Sequence, residues 1–66
     1  MTSKEIAELL KLKDWSQARL GRELDVHEST VSLWLSGDRH PTGPARKYMR
    51  EWLDQARKEA ELATSK

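Results

Sequence analysis

The feature that most constrains this chain is the stretch of residues 15–37, WSQARLGRELDVHESTVSLWLSG, which is typical of two short helices joined by a tight turn. Ser16 is a favoured N-cap because its hydroxyl can accept from an unpaired backbone N–H of the first turn. Leu20 and Leu24 are four residues apart and share a helix face. Asp25 falls where this helix must end, and Asp tolerates the left-handed backbone conformation. The pattern predicts a helix over about 17–24 and a helix-turn-helix arrangement.

The second helix of the pair is predicted over about 28–36. His27 occupies the N-cap position, although His is not a favoured cap, and Val26 and Val31 have the spacing of a hydrophobic staple. Val31 and Trp34 define the side that faces the core, and Gly37 supplies the glycine with which helices often end. The outward side then holds Glu28, Ser29, Ser32 and Leu33, with Thr30 near its edge.

Two further helices are predicted on either side of this pair. Residues 2–5 form an S/T-x-x-E capping box, so a scaffold helix is expected from about 3 to about 12, followed by a connector over 11–14. The last helix is expected over about 43–63, where Thr42 can cap its start and Pro44 is tolerated in its first turn. Gly21 in mid-helix costs about 0.5–1 kcal/mol relative to Ala, so it predicts a close helix–helix approach.

Composition limits the class of protein. Sixty-six residues predict one domain, 1–66, with the helix-turn-helix at 16–36. The absence of Cys excludes disulfides and cysteine zinc sites. A net charge of only +1, together with clear apolar periodicity, argues against disorder. No apolar run approaches 18 residues, so we expect no membrane contact and a cytoplasmic protein.

Basic residues gather after the second short helix. Residues 31–50 carry Arg39, Arg46, Lys47 and Arg50 against Asp38 alone, a net charge of +3. Such a cluster suits a phosphate backbone. A solvated charged surface is the alternative.

The order S-Q-x-x-L-x-x-x-L-x-V-x-x-S-T-V-S-x-W-x-x-G-x-R-x-P, from Ser16 to Pro41, resembles the Cro/CI (XRE-type) family of phage and bacterial repressors. The resemblance implies an all-α, lambda-repressor-like domain of four helices that regulates transcription, located on the nucleoid of a bacterial or phage-infected cell. The chain departs from the family pattern at Gly21, where Ala is usual, at Asp25, where Gly is usual, and at His27, where Ser or Thr is usual.

Positions within the motif give candidate contacts with double-stranded DNA. The rim of the second short helix is expected to read base edges in the major groove, because the first residues of such a helix do so. Glu28 can accept from a cytosine amine, and Leu33 can meet a thymine methyl. The base-reading residues are then Glu28, Ser29, Thr30, Ser32 and Leu33. The expected phosphate contacts are Gln17, Arg19, His27, Arg39, His40 and Lys47.

A second copy of the chain is the other expected partner. A domain this short is marginally stable alone, and the apolar stripe of the last helix is longer than three short helices can cover. Trp52, Leu53 and Ala56 are therefore expected at a homodimer interface, and the dimer at a near-palindromic operator. Beyond residue 58 a frayed, solvated tail is an equal alternative.

The sequence also bears on classes of function other than DNA binding. An antitoxin-like protein-interaction module is favoured by the acidic-leaning C-terminal segment and the apolar part of the last helix. An enzyme is not expected, because no catalytic constellation and no glycine-rich phosphate loop are present. His27 and Glu28 begin an H-E-x-x-H pattern, but residue 31 is Val, so no metal site is expected. No cofactor and no small-molecule ligand are implied.

Overall fold

The computed structural model describes residues 1–64, and this part of the chain forms four α-helices and no strand. The helices are α1 (Ser3–Lys13), α2 (Gln17–Leu24), α3 (Glu28–Ser36) and α4 (Gly43–Thr64). The predicted all-α fold, with a helix-turn-helix and a long last helix, is confirmed. The first helix, predicted to end at about residue 12, ends at Lys13, so residues 11–13, expected in a connector, form its last turn. Residues 65 and 66 of the predicted domain lie outside the described residues.

The first two helices begin at side-chain caps. At α1 the predicted capping box is present: Thr2 Oγ1 accepts from the backbone N–H of Glu5 at 3.2 Å, and Glu5 Oε1 accepts from the backbone N–H of Thr2 at 3.0 Å. At α2 the hydroxyl of Ser16 accepts from the backbone N–H of Arg19 at 3.1 Å, as predicted. Each bond satisfies a backbone donor that the helix itself leaves unpaired.

The same two helices end at aspartates in the left-handed conformation, Asp14 at φ 57° and Asp25 at φ 58°. The next residue of the chain then bonds back to the helix: the N–H of Val26 donates to Gly21 O at 2.8 Å, and the N–H of Trp15 donates to Leu10 O at 2.9 Å. These are the bonds of a Schellman motif. The predicted left-handed turn at Asp25 is confirmed, and it makes the connection from α2 to α3 tight.

One apolar cluster holds the four helices together. Helix α1 packs against α4 and α3, and α2 packs against α3. The buried members of the cluster are Ile6, Leu9, Leu20, Val31, Trp34, Met49 and Leu53. Because α3 contributes only Val31 and Trp34 to this list, its opposite side remains outside the core.

Helix α4 is covered by α1 further along than expected. Leu53 is fully buried and Ala56 is 5% exposed within a single chain. Both side chains therefore pack within one chain, and their expected contact with a second subunit stays a prediction. The cover is held by ion pairs from Glu5 to Arg50 at 2.8 Å and from Glu8 to Arg57 at 2.7 Å. Twenty-two residues make α4 about 33 Å long, so its last turns extend beyond this contact, and Leu62 is 73% exposed.

Candidate nucleic-acid interface

The outer face of α3 is open. Val31 and Trp34 lie in the core on its inner side. Of the residues predicted to read bases, Thr30 is half-buried, and four are exposed: Glu28, Ser29, Ser32 and Leu33. A helix of this kind fits the major groove when one side is free and the other is anchored. The structure therefore places four of the five predicted base-reading residues on the accessible side of α3, with Thr30 half-buried, and their reading of bases stays a prediction.

His27 caps the start of α3. Its Nδ1 accepts from the backbone N–H of Ser29 at 3.1 Å and lies 2.9 Å from the Ser29 hydroxyl. The presumed N-cap is confirmed, although the acceptor is an imidazole nitrogen rather than the usual side-chain oxygen. The His27 ring is exposed beside the base-reading face. Glu28, in the first turn, also suits the positive end of the helix dipole.

Gly21 sets how closely α2 approaches the start of α3. A Cβ atom built at this position would lie 2.7 Å from the carbonyl oxygen of Val26 and 3.5 Å from the amide nitrogen of Glu28. The close approach predicted from Gly21 is present, and its partner is the backbone of the turn and of the first residue of α3. The absence of a side chain at Gly21 thus permits the close approach of α2 to the turn and to the start of α3.

The loop after α3 is tied to the end of that helix. Gly37 has φ 87°, a left-handed conformation, and the N–H of Arg39 donates to Leu33 O at 3.2 Å. The hydroxyl of Ser36 donates to the same carbonyl at 3.0 Å. Arg39 and His40 are exposed, and neither side chain has an ion-pair partner among residues 1–64. The side chains of Arg39 and His40 therefore lie near the C-terminal end of α3.

The other three predicted phosphate contacts lie in different settings. Gln17 is the first residue of α2 and is half-buried. Arg19 is paired with Glu23 at 2.8 Å, and its guanidinium lies 5.1 Å from the centre of the Trp15 ring. Lys47 is exposed and lines a cleft of about 710 Å³ between the starts of α1 and α4, to which no residue of α3 contributes.

Tertiary contacts alter the charge pattern that the sequence suggests. Arg50, one of the four basic residues of the 31–50 cluster, is paired with Glu5 of α1. Hydrogen bonding from the Thr2 backbone, with the charge of Arg50, holds the pKa of Glu5 below its ordinary value. Arg39, Arg46 and Lys47 therefore carry the positive charge of this cluster that has no ion-pair partner in the described chain.

An aromatic cluster joins the start of α2 to α4, and the sequence analysis did not anticipate it. Trp15 and Trp52 meet edge to face with ring centres 5.6 Å apart, and Tyr48 stacks on Trp52 at 6.1 Å. Lys13 lies 5.6 Å from the Trp15 ring centre, on the same cluster as Arg19. The spacing of four between Tyr48 and Trp52 was the available signal. Trp52, expected at a dimer interface, is thus partly occupied within its own chain.

Within residues 1–64 no group of three or more His, Asp or Glu side chains is arranged to hold a metal ion. None of the helices in this part of the chain combines the length and apolar character needed to cross a membrane.

A short exposed helix, anchored across a tight turn by a second helix, defines the helix-turn-helix class of DNA-binding proteins. A family model described as helix-turn-helix matches residues 6–44, more than half of the chain. The chain therefore belongs to this XRE-type, Cro/CI-like family, as the sequence predicted, and is a DNA-binding transcription regulator; the family is typically non-enzymatic. No curated protein and no solved structure shows significant similarity to the chain.

Proposed function

We propose that this protein is a small Cro-like or accessory repressor, of a phage or its bacterial host, that binds a near-palindromic operator as a homodimer in the bacterial cytoplasm. The observation that carries the proposal is the free polar rim of α3 opposite the buried Val31 and Trp34. Residues Glu28, Ser29, Thr30, Ser32 and Leu33 read base edges in the major groove. Repression follows when the bound dimer occludes a promoter.

Phosphate contacts position α3 without reading sequence. Arg39 and His40 are the strongest candidates, since their side chains are exposed on a loop whose backbone is bonded to the end of α3. Gln17 supports them from the N-terminus of α2, where backbone N–H groups favour a phosphate, and His27 and Lys47 complete the set. Arg19 contributes only by exchanging its bond to Glu23 for one to DNA.

The exposed part of α4 is the proposed dimer surface. Leu53 and Ala56 are buried in one chain, which leaves Tyr48, the accessible edge of Trp52 and Leu62. A two-fold dimer places its two α3 helices about 34 Å apart, one turn of DNA. Leu62→Lys should lower the sedimentation coefficient of a dimer, whereas Leu12→Lys, a similar change at an exposed leucine of α1, should not. Equal sedimentation coefficients of the two variants would show that the end of α4 is not part of the dimer interface.

Selection of bound sites from a random DNA pool tests the DNA-binding proposal most directly. A dimeric repressor should enrich one site with two-fold symmetry, and its affinity should fall steeply as salt rises, because counterions are released from the phosphates. Arg39→Ala should weaken all sites similarly and reduce the salt dependence. Lys58→Ala is the control: it removes the same charge from the far part of α4 and should leave DNA affinity unchanged. No enrichment at any salt concentration would refute the proposal.

An antitoxin-like module remains a second candidate, supported by the exposure of Leu62 and Tyr48 on α4. Its main partner would then be another protein. Sedimentation would show a monomer, and the selection experiment would show a DNA affinity that does not depend on sequence.

A further inference from the structure

The hydrogen bonds between His27 and Ser29 limit what Ser29 can do. Nδ1 of His27 accepts from the backbone N–H of Ser29 at 3.1 Å, and it lies 2.9 Å from Ser29 Oγ. A ring nitrogen accepts only when it carries no proton. The bond to the backbone N–H therefore places the single ring proton of a neutral His27 on Nε2.

The position of His27 reinforces this assignment. The first N–H groups of a helix have no partner within the helix, so a bare nitrogen at the cap satisfies one of them. With Nδ1 bare, the short contact to Ser29 Oγ is a hydrogen bond in which the hydroxyl donates. The two hydrogens, from N–H and O–H of one residue, share the same lone pair.

We propose that His27 makes Ser29 an acceptor-only reader of bases, an inference that rests on the proposed function of α3. A serine hydroxyl otherwise reads either kind of base edge, because it can both donate and accept. Once its proton is held by His27, Ser29 Oγ offers only lone pairs. It then favours a base with an amino group in the major groove, adenine at N6 or cytosine at N4, and disfavours the acceptor edges of guanine and thymine.

The same arrangement gives His27 a defined role toward the DNA backbone. With the proton on Nε2, the exposed side of the ring is a hydrogen-bond donor, which suits a phosphate oxygen. One residue thus caps α3, fixes the hydrogen-bonding character of Ser29 and presents a donor beside the recognition face.

Nuclear magnetic resonance of the free protein tests the hydrogen-bond arrangement without DNA. Long-range ¹H–¹⁵N correlations of the imidazole distinguish which ring nitrogen carries the proton. We expect a protonated Nε2 and a bare Nδ1 for His27 at a pH where the ring is neutral, with His40 as the internal comparison. A proton on Nδ1 would overturn the inference.

Base preference tests the consequence. Ser29→Ala first identifies the base pair that Ser29 reads, as the position of the selected site at which this variant no longer prefers one base pair. That base pair is then replaced by each of the other three, and the affinity of the wild type for each site is measured. We expect the wild type to favour adenine or cytosine there by about fivefold, since one hydrogen bond discriminates less than a bidentate pair. His27→Ala should reduce this ratio to about twofold or less, because the freed hydroxyl also donates. An unchanged ratio in His27→Ala would refute the inference.

Two controls separate folding from reading. His27→Gly removes the imidazole while keeping a residue that is tolerated at an N-cap, so it replaces His27→Ala if that variant unfolds. Ser32→Ala should reduce base preference by the same factor in the wild type and in the His27→Ala variant. The reason is that Ser32 has no bond to the imidazole among the described contacts. A protein that selects no DNA refutes the proposed function and this inference together, whereas DNA selection with Nδ1 protonated refutes the inference alone.

Discussion

Replacing Gly21 with alanine tests whether helix propensity or the approach of the turn dominates at α2. Propensity alone predicts a gain in the free energy of unfolding of about 1 kcal/mol, because glycine is that much less favourable than alanine inside a helix. The added Cβ, however, would lie 2.7 Å from the carbonyl oxygen of Val26. This oxygen belongs to the backbone and cannot rotate away as a flexible side chain can. The turn itself must shift.

The magnitude follows from the two opposing effects. Forcing an extra methyl group into tight packing costs about 1–3 kcal/mol, which is at least as large as the propensity gain. We therefore expect Gly21→Ala to lower the free energy of unfolding by up to about 2 kcal/mol. In a domain of this size each kcal/mol lowers Tm by about 4–8 °C.

Urea and thermal unfolding, followed by tryptophan fluorescence and circular dichroism, measure this change. Ala18→Gly is the matched control, because Ala18 is exposed in the same helix and reports propensity alone. That control should lose about 1 kcal/mol. If Gly21→Ala were more stable than the wild type by a similar amount, the close contact with Val26 would not limit the packing, and the reasoning would fail.

Three further predictions follow from burial, charge and exposure. Leu20→Ala should cost about 2–5 kcal/mol because Leu20 is fully buried, and circular dichroism should show most of the helical signal lost, since a chain this short has few kcal/mol to lose. Hydrogen bonding from Arg57 holds the pKa of Glu8 below its ordinary value of 4.5, so the stabilisation by this pair is present above pH 4.5 and is lost as pH falls through the lower folded-state pKa. Glu8→Gln should therefore narrow the difference between urea midpoints measured at neutral pH and in acid, and an unchanged difference would contradict the role of this pair. Leu33→Ala should weaken binding chiefly to sites with thymine at one position, while Leu12→Ala, at a leucine of similar exposure, should leave binding unchanged; a uniform loss across sites would exclude a thymine contact.

Contacts between distant parts of the chain could not be predicted from local pattern. By sequence, Glu5 and Glu8 belong to the predicted scaffold helix, but they pair with Arg50 and Arg57 on α4. The pairs form because α1 lies along α4, and nothing in the spacing of either segment specifies that neighbour. The same packing buries Leu53 and Ala56, which an apolar stripe alone left available for a partner.

The sequence by itself determined the four helices, the limits of α2 and α3, the left-handed turn at Asp25 and the outward rim of α3. These features depend on caps, on apolar spacing and on backbone preferences, which act within a few residues. Tertiary structure alone decided how far α1 covers α4, which basic side chains keep their charge unpaired, and that Trp15 meets Trp52. It did so because each of these depends on which helix faces lie against each other, and many faces of similar apolar character compete for the same core.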